Sequence, residues 1–195
     1  MSIFEDGLKK NQANYAPLSP LSFLERTRNT FPNHIAVEYK DYKINYKEAG
    51  TRCDALAHFI KNKQLSRGSV TAVMLPNIPV MWECHYGIPM ASSIINAINT
   101  RLDSHTVNFI LGHGEAQLFI FDSEYSQIIE KALDGMSNPP ILVEFVDHVV
   151  GHKRSEFANK INCLDYETEI NNYLGIKLEH KLPDDEWDSI ALNYT

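Results

Sequence analysis

The sequence predicts an α/β protein: a doubly wound, mostly parallel sheet with flanking helices, preceded by a helix and a small β-hairpin. Two observations carry this. Val70-Thr71-Ala72-Val73-Met74-Leu75 is a short β-branched apolar run suited to a strand buried on both faces, and residues 94–98 form a second run one helix-length later. Strand, crossover helix, strand is the unit that builds a parallel sheet. The same order continues beyond it, so residues 70–146 read βαβαβαβ.

Each element has its local reason. Residues 1–18 are polar and turn-rich and read as an extended arm. Ser19-Pro20 opens a helix, with Ser19 as cap and Pro20 as first helical residue; Leu21, Leu24 and Phe31 fall near helical spacing, and Phe31-Pro32-Asn33 ends it. Ile35-Ala36-Val37-Glu38-Tyr39 and Lys43-Ile44-Asn45-Tyr46 flank Lys40-Asp41-Tyr42 as a hairpin. Asn45-x-x-Glu48 has the form of a capping box. It opens a helix over about residues 46–63, with Tyr46, Ala49, Cys53, Leu56, Ala57 and Ile60 as its apolar stripe. After the first buried strand, Asn77 is the expected N-cap and Pro79 sits in the first turn. That helix should carry Met81, Trp82, His85, Tyr86 and Ile88 inward until Gly87 and Pro89 weaken it.

Further on, Asp103 caps a helix whose Val107, Ile110 and Leu111 face the core, and Gly112-His113-Gly114 stops it through a left-handed glycine. Leu118-Phe119-Ile120-Phe121 is a third strand. The helix after Asp122 shows Tyr125, Ile128, Ile129, Ala132 and Leu133, and residues 141–146 are a fourth strand. Residues 147–164 read as loop, 165–174 as a short helix, 175–188 as linker around a solvated Asp184-Asp185-Glu186 run, and 189–195 as a last strand.

Composition narrows the function. With 44% hydrophobic and 22% charged residues the chain is an ordinary globular one, not a disordered segment. A net charge of -7 disfavours nucleic acid or anionic membrane as the main partner. No apolar run approaches the roughly 20 residues that cross a bilayer, and the first ten residues lack the pattern of a secretory leader. Cys53, Cys84 and Cys163 are odd in number and far apart, which suits packing thiols in a reducing cytoplasm.

The chemistry-bearing patterns are sparse. No G-x-G-x-x-G, G-x-x-x-x-G-K-[ST] or G-x-S-x-G occurs, so nicotinamide, P-loop and serine-hydrolase chemistry have no support. His148 and His152 are a close pair without a third ligand nearby in sequence, which reads as two loop histidines. His85 reads as a core histidine. Adjacent helix positions such as Cys84 and His85 point in different directions and cannot form a nucleophile–base pair. Arg101 follows a parallel strand, where such sheets bind ligands; a structural role, such as pairing with Asp103, fits it equally.

Several stretches together resemble the AMP-forming acyl-CoA synthetases of the adenylate-forming superfamily, nearest the medium-chain fatty-acid and plant acyl-activating branch. They are residues 13–26, Val73-Met74-Leu75-Pro76-Asn77-Ile78-Pro79, His85-Tyr86-Gly87-Ile88-Pro89-Met90-Ala91, Asn99-Thr100-Arg101-Leu102-Asp103, residues 109–116 and residues 185–195. Each is weak alone; their order and spacing are specific, and they cover nearly the whole chain. The resemblance implies activation of a fatty or other carboxylic acid with Mg-ATP to an acyl-adenylate, then transfer to coenzyme A. It also implies that residues 1–195 form a single incomplete N-terminal domain. The family's phosphate loop, T-S-G-T-T-G-x-P-K-G, follows a strand like residues 190–194, and Thr195 matches only its first residue. On this likeness Thr195 is the one cofactor-binding position, with no catalytic or metal residue. The 195 residues alone are expected to be inactive and to bind neither ATP nor coenzyme A tightly. Gly68-Ser69 and Ser92-Ser93 depart from the family's glycine-aspartate and glycine-alanine and read as surface or turn changes.

The alternative is a non-catalytic interaction module that docks on a full-length relative or complements a separate C-terminal piece, with self-association through an exposed sheet edge. A flavodoxin-like nucleotide module is a lesser candidate, lacking a glycine-rich turn.

Overall fold

A computed structural model describes residues 2–11, 13–161, 163–179, 183 and 185–195. The expected arm and linker therefore fall partly outside the described residues, at residues 1 and 12 and at 180–182 and Asp184.

Helix α1 (Leu21–Thr30) leads into an antiparallel hairpin of β1 (Ile35–Tyr39) and β2 (Tyr42–Asn45), turned at Lys40 with a left-handed φ of 54°. Pro20 occupies the cap position of α1, while Ser19 Oγ accepts the Leu21 N–H at 3.3 Å. Phe31 lies past the end of α1 and is exposed, not on its buried stripe. Helix α2 (Tyr46–Asn62) opens with the reciprocal Asn45–Glu48 capping box, and Ala49, Cys53, Leu56, Ala57 and Ile60 are all buried.

The main sheet then builds in the expected order. Strands β3 (Val70–Met74), β4 (Ile94–Ala97), β5 (Ala116–Asp122), β6 (Ile141–Phe145), β7 (Leu164–Asp165) and β8 (Ala191–Leu192) are arranged β7-β6-β5-β3-β4-β8. Every described pairing among them is parallel. Between the strands run α3 (Pro79–Met90), α4 (Ser104–His113), α5 (Ser126–Leu133), α6 (Glu156–Lys160) and α7 (Tyr166–Asn171). Alternation along the strands divides the core into two. Val73, Leu118, Ile120 and Val143 pack against α2, α3 and α7, whereas Ala72, Met74, Phe119 and Phe121 pack against α4, α5 and α6. A third cluster seats Leu21 and Leu24 of α1 on Cys53 and Ala57 of α2.

Several local expectations are corrected. Asn77 is exposed and does not cap α3; Ile78 holds the cap position with no side-chain bond. The buried face of α3 is Val80, Glu83, Cys84, Gly87 and Ile88, so of the residues expected inward only Ile88 is fully buried, and His85 is exposed. Gly87 and Pro89 both lie inside α3, which ends one residue later at Met90. Gly87 lets α2 approach, since a Cβ there would lie 2.8 Å from Leu56 Cδ2. Gly114 ends α4 with a right-handed φ of -80°, and the left-handed residue is Glu115 at 50°. A Cβ on Gly114 would meet Ile110 O at 2.9 Å, so crowding explains that glycine. Residues 147–164 are not simply loop: they hold a 3-10 turn at His148–Val150, all of α6 and the first residue of β7. Ser69 and Ser93 are buried, not surface residues. Ser93 Oγ donates to Ser69 O at 2.6 Å and meets Thr71 Oγ1 at 2.9 Å, stitching β3 to the start of β4.

Candidate functional site

The order β4-β3-β5-β6-β7 is a 2-1-3-4-5 winding, which reverses direction between β3 and β5. Open α/β sheets bind ligands outside the carboxyl ends of their strands at that reversal. A ligand would therefore sit at the carboxyl edge, where an aspartate stands after β4, at the end of β5 and after β6. Asp103, after β4, accepts from the His105 and Thr106 N–H groups at 2.9 and 3.1 Å. These bonds hold its carboxyl below the usual carboxylate range. Asp122, closing β5, accepts the Glu124 N–H at 2.9 Å. Asp147, after β6, accepts the Val149 N–H at 3.0 Å and the Tyr39 hydroxyl at 2.7 Å. That last bond pushes the Tyr39 phenol up to about 12. At α3 the first helical residue is Pro79, which has no N–H to offer.

An anion is bound where free N–H groups and a helix N-terminus point at it. Here the chain's own carboxylates already take those donors, and they bring negative charge. The loops after β3, β4 and β5 contain no glycine that would let backbone approach a pyrophosphate. These residues do not fit a triphosphate. A cavity of about 230 Å³ beside this edge, lined by Tyr39, Arg52, Ile78, Glu83 and Asp147, is smaller than the roughly 300 Å³ at which ligand pockets begin. Its one arginine is committed: Arg52 binds Glu167 through two bonds of 2.7 and 3.0 Å and also pairs with Glu83.

The singled-out residues fall as follows. Thr195 is exposed, three residues past β8 at the same edge; Tyr194 beside it shares a 2.7 Å hydrogen bond with His113 Nδ1. Arg101 is exposed and has no ion pair among the described residues, because Asp103 serves as a helix cap. Cys84 is buried, which pushes its thiol up, while His85 points to solvent, so no nucleophile pair forms. His148 is exposed. His152, in contrast, is folded back so that its Nδ1 lies 3.2 Å from Asp122 Oδ1. With Glu124 these two offer ligand atoms within 4.8 Å of one another. Sequence spacing could not find that trio, since its members come from a strand end and a loop about thirty residues apart.

The described residues thus form a doubly wound, parallel α/β sheet. The chain belongs to the AMP-binding enzyme family, which it matches over residues 24–195. It is 34% identical to acetate–CoA ligase CCL3 of Humulus lupulus and 32% identical to the peroxisomal trans-cinnamate:CoA ligase of Petunia hybrida. Both alignments cover 97% of this chain. The chain spans about a third of the length of these relatives, covering 34% and 35% of them. The fold is that of the anthranilate CoA ligase AuaEII solved with anthranoyl-AMP, at a TM-score of 0.81 and 18% identity, covering 96% of this chain and 34% of that one. A Mycobacterium tuberculosis fatty acyl CoA synthetase is also similar, at a TM-score of 0.70 and 18% identity, covering 90% of this chain and 32% of that one.

Proposed function

We propose that residues 1–195 supply the N-terminal scaffold of an ATP-dependent acyl-CoA ligase, an enzyme that converts a carboxylic acid to its acyl-adenylate and then to its coenzyme A thioester. The observation that carries this reading is the family match over residues 24–195 together with relatives named as CoA ligases. Thr195 would open the phosphate loop, and the donors that grip ATP would lie beyond it. The relatives are named for acetate, butyrate, 2-methylpropanoate and trans-cinnamate, which supports a carboxylic acid as substrate without fixing its chain. Three buried free cysteines fit a reducing compartment such as the cytoplasm. Among the described residues no helix is long and apolar enough to cross a membrane.

The test is pyrophosphate release with Mg-ATP and a series of acids from acetate to medium chain. The 195 residues alone should release none. The same residues joined to the remaining two thirds of a CoA ligase relative should. Robust release by the short polypeptide, or an inactive but folded chimera, would overturn the reading.

A second reading, as an interaction module, draws on the outer edge of β8 and on Trp187, which is 92% exposed. Light scattering discriminates: concentration-dependent association favours it, and a clean monomer counts against it.

A further inference from the structure

We propose that Asp122, Glu124 and His152 form a binding site for one divalent transition-metal ion, of the zinc or manganese type, at the carboxyl ends of β5 and β6. The proposal stands apart from the ligase reading and uses no residue assigned to ATP.

Two independent observations point to it. The first is convergence: one oxygen or nitrogen from each of the three side chains lies within 4.8 Å of the others. Adjacent ligands on an ion held at about 2.1 Å sit roughly 3.0–3.4 Å apart, and Asp122 Oδ1 and His152 Nδ1 are already separated by 3.2 Å. The second is an unmet need. The Asp122 side chain is only 1% exposed, yet its Oδ2 has no hydrogen-bond partner among the described residues. A buried carboxylate oxygen is satisfied by a donor, a cation or its own proton, and among the described residues no donor bonds to this one.

The surroundings prepare the site for positive charge. Asp147 lies near enough to act on Asp122, adding a further carboxylate to the local field. Tyr39, whose hydroxyl donates to Asp147, ties the hairpin to the same loop. That loop is built to deliver His152: Asp147 O accepts the His152 N–H at 2.9 Å, and Gly151 takes the left-handed φ of 82° that the return requires. Glu124 is held next to Asp122 by its own N–H and presents an exposed, adjustable carboxylate. Three protein ligands leave room for water. A ring nitrogen among two carboxylates favours zinc, manganese, iron or cobalt over magnesium or calcium, which prefer oxygen alone.

The experiment titrates the metal-free 195-residue chain with Co²⁺, read by visible absorbance and calorimetry, with Zn²⁺ and Mg²⁺ as competitors. One ion should bind per chain, with displacement by Zn²⁺ and not by equimolar Mg²⁺. His152→Ala and Glu124→Gln, both at solvent-accessible positions, should each weaken binding at least as much as the roughly 10–100-fold that loss of an outer-shell partner costs. His148→Ala should leave binding unchanged. Circular dichroism and a denaturation midpoint verify that each variant is folded. Absence of Co²⁺ binding, equal displacement by Mg²⁺, or folded ligand variants that bind like the parent would each overturn the proposal.

Discussion

Glu83 is the residue on which the packing of three helices turns. It sits on the buried face of α3 with its side chain 2% exposed, pairs with Arg52 of α2, and accepts the Tyr166 hydroxyl of α7 at 2.8 Å. Removing one member of a buried ion pair leaves the other charge without compensation. Glu83→Ala should therefore cost about 3–5 kcal/mol, read as a lowered midpoint in urea unfolding. A change below about 1 kcal/mol would show that Arg52 is satisfied by Glu167 alone. Nothing in the sequence marks Glu83, because its partners lie 31 and 83 positions away and an acid in an apolar helix normally faces water. Asp103 is the opposite case, legible from its place before an apolar helix. Its bonds from the Thr106 backbone and hydroxyl and from the His105 backbone lower its pKa from 3.8. The sign follows: the cap's stabilisation is present above the unfolded-state value and is lost as pH falls through the lower folded value. An NMR titration of the Asp103 carboxyl and the Thr106 amide should give a midpoint below 3.8. A midpoint at or above it would contradict the capping geometry.

At the scale of elements, local signals were readable and tertiary ones were not. The Asn45–Glu48 box, the buried runs of β3, β4, β5 and β6 and the stripe of α2 all depend on neighbours a few residues apart, and all stand where the pattern put them. Helix α6 and strand β7 leave no signal in the sequence for a physical reason. They are five and two residues long, too short to carry a period, and are held by Arg154, which pairs with the buried Glu144 of β6 and reaches Asp165. The buried face of α3 is not legible in its sequence, which is apolar over most of its circumference, so periodicity cannot say which side meets α2. Gly87 decides it, through contact with Leu56. Gly87→Ala should force α2 and α3 apart at a cost of about 1–3 kcal/mol, measured by thermal or chemical unfolding. A neutral substitution would mean that the two helices can separate without loss.

For the whole molecule, the fold class was legible because strand–helix–strand order dictates a parallel sheet, and the winding then places the carboxyl edge. What that edge would hold was not legible, since its character arises from side chains that only folding assembles. Asp103, Asp122 and Asp147 each occupy donors that a phosphate would need, and His152 reaches Asp122 from another loop. Residues 1–195 thus carry the fold of the AMP-binding family with a described edge whose backbone donors are already taken by aspartates. Calorimetric titration of the folded 195-residue chain with Mg-ATP puts this to the test most directly. The account predicts no saturable heat; a one-to-one isotherm with Mg-ATP would contradict it.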